Sequence, residues 1–333
     1  MEQISLDRFT YKLTDDNRIV VEHPFQLPTM LYKFYSPTEN SFNAFIKHYL
    51  YASAPVEFND ILDSSWLMFD FRNITHNEYQ KFYTEHRTDF TPVGYEQDKS
   101  NEFATLSLHW YLCFSSQVGL VSMTSSVDNP LMWAHYTQET GYVIKYNSER
   151  LKHSLLNNNK DILDCHLLPI QYVSKLQPID FFSRHYKTPT VPMTCITNLK
   201  LKNWNYEKEW RVSIRKENMG YTTGRALQNT IIKGDTERRK IYYTPNCIEA
   251  IYLSAYFFGN TYFEPSPSGI LTVKPKYVPF INYLVEYHNH HLFSCGGERT
   301  QQNEVKRYYQ QIQLLRKDIN QFEIKIFPEI FFF

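Results

Sequence analysis

The sequence predicts an α+β fold, with a β-sheet core and flanking helices over residues 30–285, an N-terminal extension over 1–29 and a C-terminal helical extension over 286–333. Three observations predict it. Apolar runs of strand length, bounded by Pro, Gly, Asn or Asp, recur along the chain. Short helix-start signals fall between them, with no fixed-period repeat and no low-complexity linker. The composition has 26 Tyr and 24 Phe against 10 Gly, so aromatic rings supply much of the burial, as suits a β-rich, tightly packed body. A chain of 333 residues could hold one large core or two modest ones, and these signals fit one core with appended termini.

The elements follow in order. Ile19-Val-Val-Glu22 reads as a strand or hairpin of the N-terminal arm, ended by Pro24 and Pro28. Met30-Leu-Tyr-Lys-Phe-Tyr35 is a strand. Ser36-Pro37-Thr38-Glu39 reads as a capping box with Pro at the first helical position, and Phe42, Phe45, Ile46 and Tyr49 continue at helical spacing. Leu50-Tyr-Ala-Ser53 returns as a short strand, and short helices are expected between Asn59 and Asn101. Gly119-Leu-Val-Ser-Met123 is a buried strand. Asp128-Asn129-Pro130 caps a short helix through Tyr136, and Gly141 opens the strand Tyr142-Val-Ile-Lys-Tyr146. Pro169–Val173, Trp210–Ile214, Cys247–Ser254 and Leu271–Lys274 read as further strands, and the later part of 181–198 as a helix. Gln301 to Gln321 is expected to form an amphipathic helix with Val305, Tyr308, Tyr309, Ile312, Leu315 and Ile319 as its stripe, an oligomer or partner contact if that stripe does not pack on its own domain.

Charge is balanced, with 35 Lys plus Arg against 35 Asp plus Glu, so nothing global points to nucleic acid or an anionic membrane as partner. The start Met1-Glu2-Gln3 lacks a basic and apolar leader, and no stretch approaches the ~20 apolar residues of a span. Five scattered cysteines (Cys113, Cys165, Cys195, Cys247, Cys295), never in Cys-x-x-Cys pairs, fit a reduced compartment, so a cytoplasmic protein is expected. Phosphate-loop, dinucleotide-fold, nucleophile-elbow and His-Glu-x-x-His signatures are absent. Lys200 and Lys202, Lys233 and Arg238-Arg239-Lys240 are short basic runs that read first as solvated charge.

Trp204-Asn-Tyr-Glu-Lys-Glu-Trp-Arg211 concentrates the chemistry. As a strand it would place Glu207, Glu209 and Arg211 on one face, with Tyr206, Trp210, Val212 and Ile214 on the other. Two readings fit those charges: an ion-pair ladder, or a site where a carboxylate stabilises developing positive charge and Arg211 orients it. His135 and Tyr136 suit a nucleotide pocket or acid/base work, and equally a satisfied helix-end His beside a core Tyr. His288, His290, His291 and Cys295 meet the residue types of a zinc site but have no matching pair nearby, so no metal is assigned.

Leu31–Tyr35, Tyr51–Asp60, Asp128–Tyr136 with Gly141-Tyr142, and Trp204–Arg211 resemble, in that order, a bacterial domain family of unknown function, the one numbered 2971, from about Met30 to Ser254. The family continues Phe-Asn-Asp with Pro-Phe, where this chain has Ile61-Leu62. The order also resembles ADP-ribosyltransferases, whose compact split sheet clamps NAD. That second resemblance implies a split β-sheet core and NAD as substrate, with Tyr32-Lys33 on an early strand, Tyr51 and Ser53 on a middle one, and Glu207-Lys-Glu209 on a late one. It further implies Glu209 beside the oxocarbenium ion, Glu207 on the acceptor and Tyr32, Lys33 and Ser53 around the nucleotide, with a toxin or phage-defence setting by analogy; His135, Tyr136 and Arg211 join that set by their residue chemistry. A non-catalytic sensor module, or a nuclease or hydrolase built on His135 and Glu209, are the other readings of the same residues.

Overall fold

The computed structural model describes residues 2–70, 72–86, 94–100, 114–180, 190–220, 236–266, 269–299 and 303–333; Cys113, Lys233 and the segment 181–189 lie outside them. Among the described residues, the fold is α+β around an eleven-stranded sheet. Its spatial order is Phe263–Glu264, Leu271–Val273, Gln321–Phe331, Val305–Asp318, Leu292–Arg299, Ile248–Leu253, Tyr142–Asn147, Met30–Tyr35, Val118–Thr124, Glu209–Arg215 and Asp164–Pro169. Neighbours are antiparallel except Ile248–Leu253 with Leu292–Arg299. That parallel pair needs a crossover, and the helix Val278–Tyr287 lies within it.

Both faces of the central strands are covered. Leu31, Tyr35, Tyr142, Ile144, Leu292, Ile312 and Leu314 pack on one face with Phe280, Ile281 and Leu284 of the crossover helix. Tyr32, Val143, Tyr252, Cys295 and Tyr309 pack on the other with Trp133. The N-terminal strands Gln3–Leu6, Phe9–Leu13 and Ile19–Glu22 form their own antiparallel sheet. Its residues Ile4, Phe9, Tyr11 and Ile19 join a third cluster with Val118, Leu120 and the helix Thr190–Ile196, so the extension is packed on the body.

Three local readings need correction. The helix after Tyr35 runs Glu39–Ile46 with Thr38 as cap, its hydroxyl accepting from the Ser41 amide, so the Ser36 capping box does not form. The helix expected over 301–321 is instead the strand Val305–Asp318, paired along Leu292–Arg299 and Gln321–Phe331. Tyr309 and Ile312 are three apart, which a helix would place together. In the strand they are buried on opposite faces, Tyr309 beside Trp133 and Ile312 under the crossover helix, and pairing on both sides overrides local propensity. Finally, Lys202–Glu207 is a 3-10 helix, and the strand begins only at Glu209.

The sheet opens beside the strand Met30–Tyr35. Met30–Tyr35 pairs fully with Tyr142–Asn147, but its backbone register with Val118–Thr124 is Tyr32 opposite Thr124 alone. Further along the same edge, Leu120 is bridged by Ser53. Between these two contacts the strands part beside Ser122.

Candidate functional site

The split encloses a cavity of about 180 Å³ lined by Tyr32, Lys33, Phe34, Phe58, Asn59, Asp60, Asp63, Ser122, Met123, Met132, Tyr136, Lys200, Trp204, Glu207 and Glu209. Each side of it has a local cause. Asn129 caps the turn with its side-chain oxygen on the Leu131 and Met132 amides, and Pro130 fixes the first helical φ. The chain then widens into a π-helical turn, Trp133–Thr137, a rare geometry that concentrates at functional sites. Gly141 follows because a Cβ there would sit 2.0 Å from the Tyr35 carbonyl oxygen, so only glycine lets the next strand approach.

On the opposite wall, Lys208 takes a left-handed φ of 44° and turns the 3-10 helix into the strand. The Thr124 hydroxyl donates to the Glu207 carbonyl at 2.6 Å and Asn129 Nδ2 donates to the Tyr206 carbonyl at 2.6 Å, tying this corner to both neighbours. Glu207 and Glu209 thereby converge on the cavity, Glu207 from the turn and Glu209 from the strand.

The polar groups form one buried network. Arg211 Nε and Nη2 donate to Glu209 Oε1 at 2.9 and 2.8 Å, while Nη1 and Nη2 donate to Asp63 at 3.0 and 2.9 Å. Its Nη1 also donates to the Thr197 carbonyl at 2.7 Å, and Phe58 lies 4.9 Å beneath the guanidinium. Lys200 Nζ lies 2.6 Å from Glu207 Oε2, 3.2 Å from Glu209 Oε2 and 3.7 Å from Asp63 Oδ2, with Trp204 stacked at 4.9 Å. Tyr136 donates its hydroxyl to Glu207 Oε1 at 2.5 Å. The amide of Glu209 donates to the Tyr172 hydroxyl at 2.9 Å.

These contacts set the charge states. Burial pushes the Glu209 carboxyl up, but the Arg211 and Lys200 charges and hydrogen bonds from Ser122 and Arg211 outweigh it, leaving the carboxyl below its ordinary value. Burial likewise works against the Lys200 ammonium, and Glu209, Glu207 and Asp63 reverse that and raise it. Burial, and then Glu207, pushes the Tyr136 phenol up, so it remains a donor. Lys33 is lowered to about 8 by burial, with Glu209 offsetting only part of the effect.

The expected residues divide cleanly. Tyr32, Lys33, Tyr136, Glu207 and Glu209 meet at the cavity. Arg211 is 1% exposed, donates to Glu209 and does not line the cavity. Ser53 spends its backbone on the bridge to Leu120 and does not line the cavity. His135 is exposed on the outer side of the π-helical turn and is outside the lining too. Of the histidine and cysteine group, His288 packs on Phe45, His290 Nδ1 meets Gln313 at 2.9 Å, and Cys295 lies on the other face of the sheet with Tyr309.

Sequence reasoning missed Asp63, Lys200 as an ion-pair partner, and the walls Phe34, Phe58 and Trp204. The Phe58-Asn-Asp60 segment was the available signal for the first and Lys200 was visible only as part of a basic run. Neither spacing brings them to Arg211 without the fold.

No curated protein and no solved structure matches the chain. A family model described as "Protein of unknown function (DUF2971)" matches residues 132–212, a narrower span than Met30–Ser254. The matched segment runs from Met132 on the cavity wall to the residue after Arg211, and over it the chain is similar to that family.

Proposed function

We propose that the cavity takes the nicotinamide-ribose end of NAD and that the chain transfers the ADP-ribosyl group. The observation that carries this reading is the pair of carboxylates, Glu207 and Glu209, facing an aromatic cavity at the point where the sheet splits. When the bond between ribose C1′ and the nicotinamide nitrogen breaks, its electron pair leaves with the ring and positive charge develops on the sugar. The Glu209 carboxylate, held ionised by Arg211 and Lys200, stabilises that charge from a fixed position, with little reorganisation. Glu207, aligned by Tyr136 and Lys200, orients the acceptor and takes its proton. A volume of about 180 Å³ is below the ~300–1,000 Å³ of ordinary ligand sites, so the nicotinamide ring and the C1′ edge of its sugar enter while the rest of the dinucleotide stays outside.

Incubating the purified protein with NAD and following nicotinamide release tests this. Release, with water or an added acceptor completing the transfer, is the expected result. One observation favours a second reading: Glu207 and Glu209 are already fully ion-paired, which suits a binding module that holds a ligand without turning it over. Saturable NAD binding with no nicotinamide release selects that module over the enzyme.

A further inference from the structure

Two lysines reach the same cavity, and their surroundings drive them apart. Lys200 is enclosed by three carboxylates and is a permanent charge. Among the described residues, Lys33 has no carboxylate within 4.0 Å. Its Nζ donates to the Ser122 carbonyl at 3.3 Å, across the gap where the strands part, and lies 5.4 Å from the Tyr35 ring centroid. Lys33 is half-buried, and one long hydrogen bond is little to hold its ammonium there. Two like groups whose surroundings push them in opposite directions take different roles in one site.

We infer that Lys33 is an amine nucleophile toward a small aldehyde or ketone bound in the cavity, with Lys200 the fixed charge beside it. The inference rests on the cavity and its lysines, not on NAD as substrate. Titratable groups line the cavity on every side: Glu209 on the late strand, Glu207 before it, Lys200, Asp60 and Asp63 on the facing segments, Tyr136 on the π-helical turn and Tyr32 on its own strand. Tyr35, also on that strand, faces Lys33. Lowering of its ammonium to about 8 by burial leaves a fraction of free amine near neutrality that an ordinary lysine lacks.

The step balances without a redox partner. Nitrogen bonds to the carbonyl carbon as the C=O π bond opens, and a proton passes from nitrogen to oxygen to give a carbinolamine. A second proton on that oxygen, relayed through a cavity carboxylate, lets water depart and leaves a protonated C=N; deprotonation returns the proton, so amine plus carbonyl gives imine plus water. About 180 Å³ corresponds to roughly six water molecules, room for a short-chain or single-ring carbonyl compound.

The test treats the intact protein with glyceraldehyde and cyanoborohydride, which delivers hydride to the imine and fixes it as a secondary amine, followed by peptide mass mapping across pH. Lys33 is expected to be alkylated about tenfold faster at pH 7.5 than the exposed Lys47 and Lys160, its rate levelling above about pH 8. A Lys33 rate equal to or below theirs, or one still climbing beyond pH ~9.5, overturns the inference. The readout needs no NAD turnover, so absence of nicotinamide release leaves it standing, and its own failure leaves the transferase reading untouched.

Discussion

Arg211 grips Asp63 with two nitrogens, Nη1 to Oδ1 at 3.0 Å and Nη2 to Oδ2 at 2.9 Å, across 148 positions of chain. The same guanidinium holds Glu209, so one side chain fastens the turn at 60–64 to the strand that carries the site. Planar, two-sided recognition of this kind is a property of arginine that lysine does not share.

Arg211→Met is therefore expected to be severe. It leaves Asp63 and Glu209 buried with only Lys200 to share, and removing one partner of a buried ion pair costs about 3–5 kcal/mol. Glu209→Gln leaves Lys200 with Glu207 and Arg211 with Asp63, so it costs less. Urea unfolding of the two variants against wild type gives the order.

Acid sensitivity follows from Glu209. Its carboxyl is depressed in the folded chain, so its stabilisation is complete above the ordinary 4.5 and is lost as pH falls through the folded value. Unfolding free energy measured below pH 4.5 should decline in wild type and decline less steeply in Arg211→Met, which lacks the strongest opposing charge.

His288 controls a second window. Burial, reinforced by His48 and His291, lowers it from 6.5 to about 4, while Phe45 and Tyr283 enclose the ring. The neutral ring is favoured by folding, so its contribution is full above pH 6.5 and is lost between there and about 4, up to about 3 kcal/mol. Replacing His288 by Phe should flatten the stability profile over that interval in thermal or urea titrations.

Lys208 carries the corner between the two site carboxylates at φ 44°. Glycine adopts that conformation freely and a β-branched residue does not. Lys208→Gly is expected within about 1 kcal/mol of wild type and Lys208→Val to lose about 1–3 kcal/mol. Differential scanning calorimetry of both variants separates this backbone effect from loss of the exposed charge, which they share.

Much of the sheet was legible because its strands carry their own punctuation: Met30–Tyr35 ends at Ser36-Pro37, and Tyr142–Asn147 opens at Gly141. Glu209 and Arg211 were legible as a pair because they share a strand face. Glu207 reached the site by a different route, a 3-10 turn and the left-handed Lys208, which two-residue spacing imitates without describing. The C-terminal strand was misread for a related reason. Buried residues on both faces of a strand lose the alternation that marks it, and Tyr309 with Ile312 then imitates helical spacing. Asp63 and Lys200 join Arg211 only through tertiary pairing, and nothing local announces it.

In the transfer proposed above, Glu209 acts on an NAD-derived charge while Arg211 and Lys200 hold it in place. Nicotinamide release by Glu209→Gln, compared with wild type at matched folding by circular dichroism, tests it most directly. A loss of about 10²-fold or more is predicted, the scale of removing one preorganised electrostatic group. Release by the variant at the wild-type rate, or no release by the wild-type protein, would contradict it.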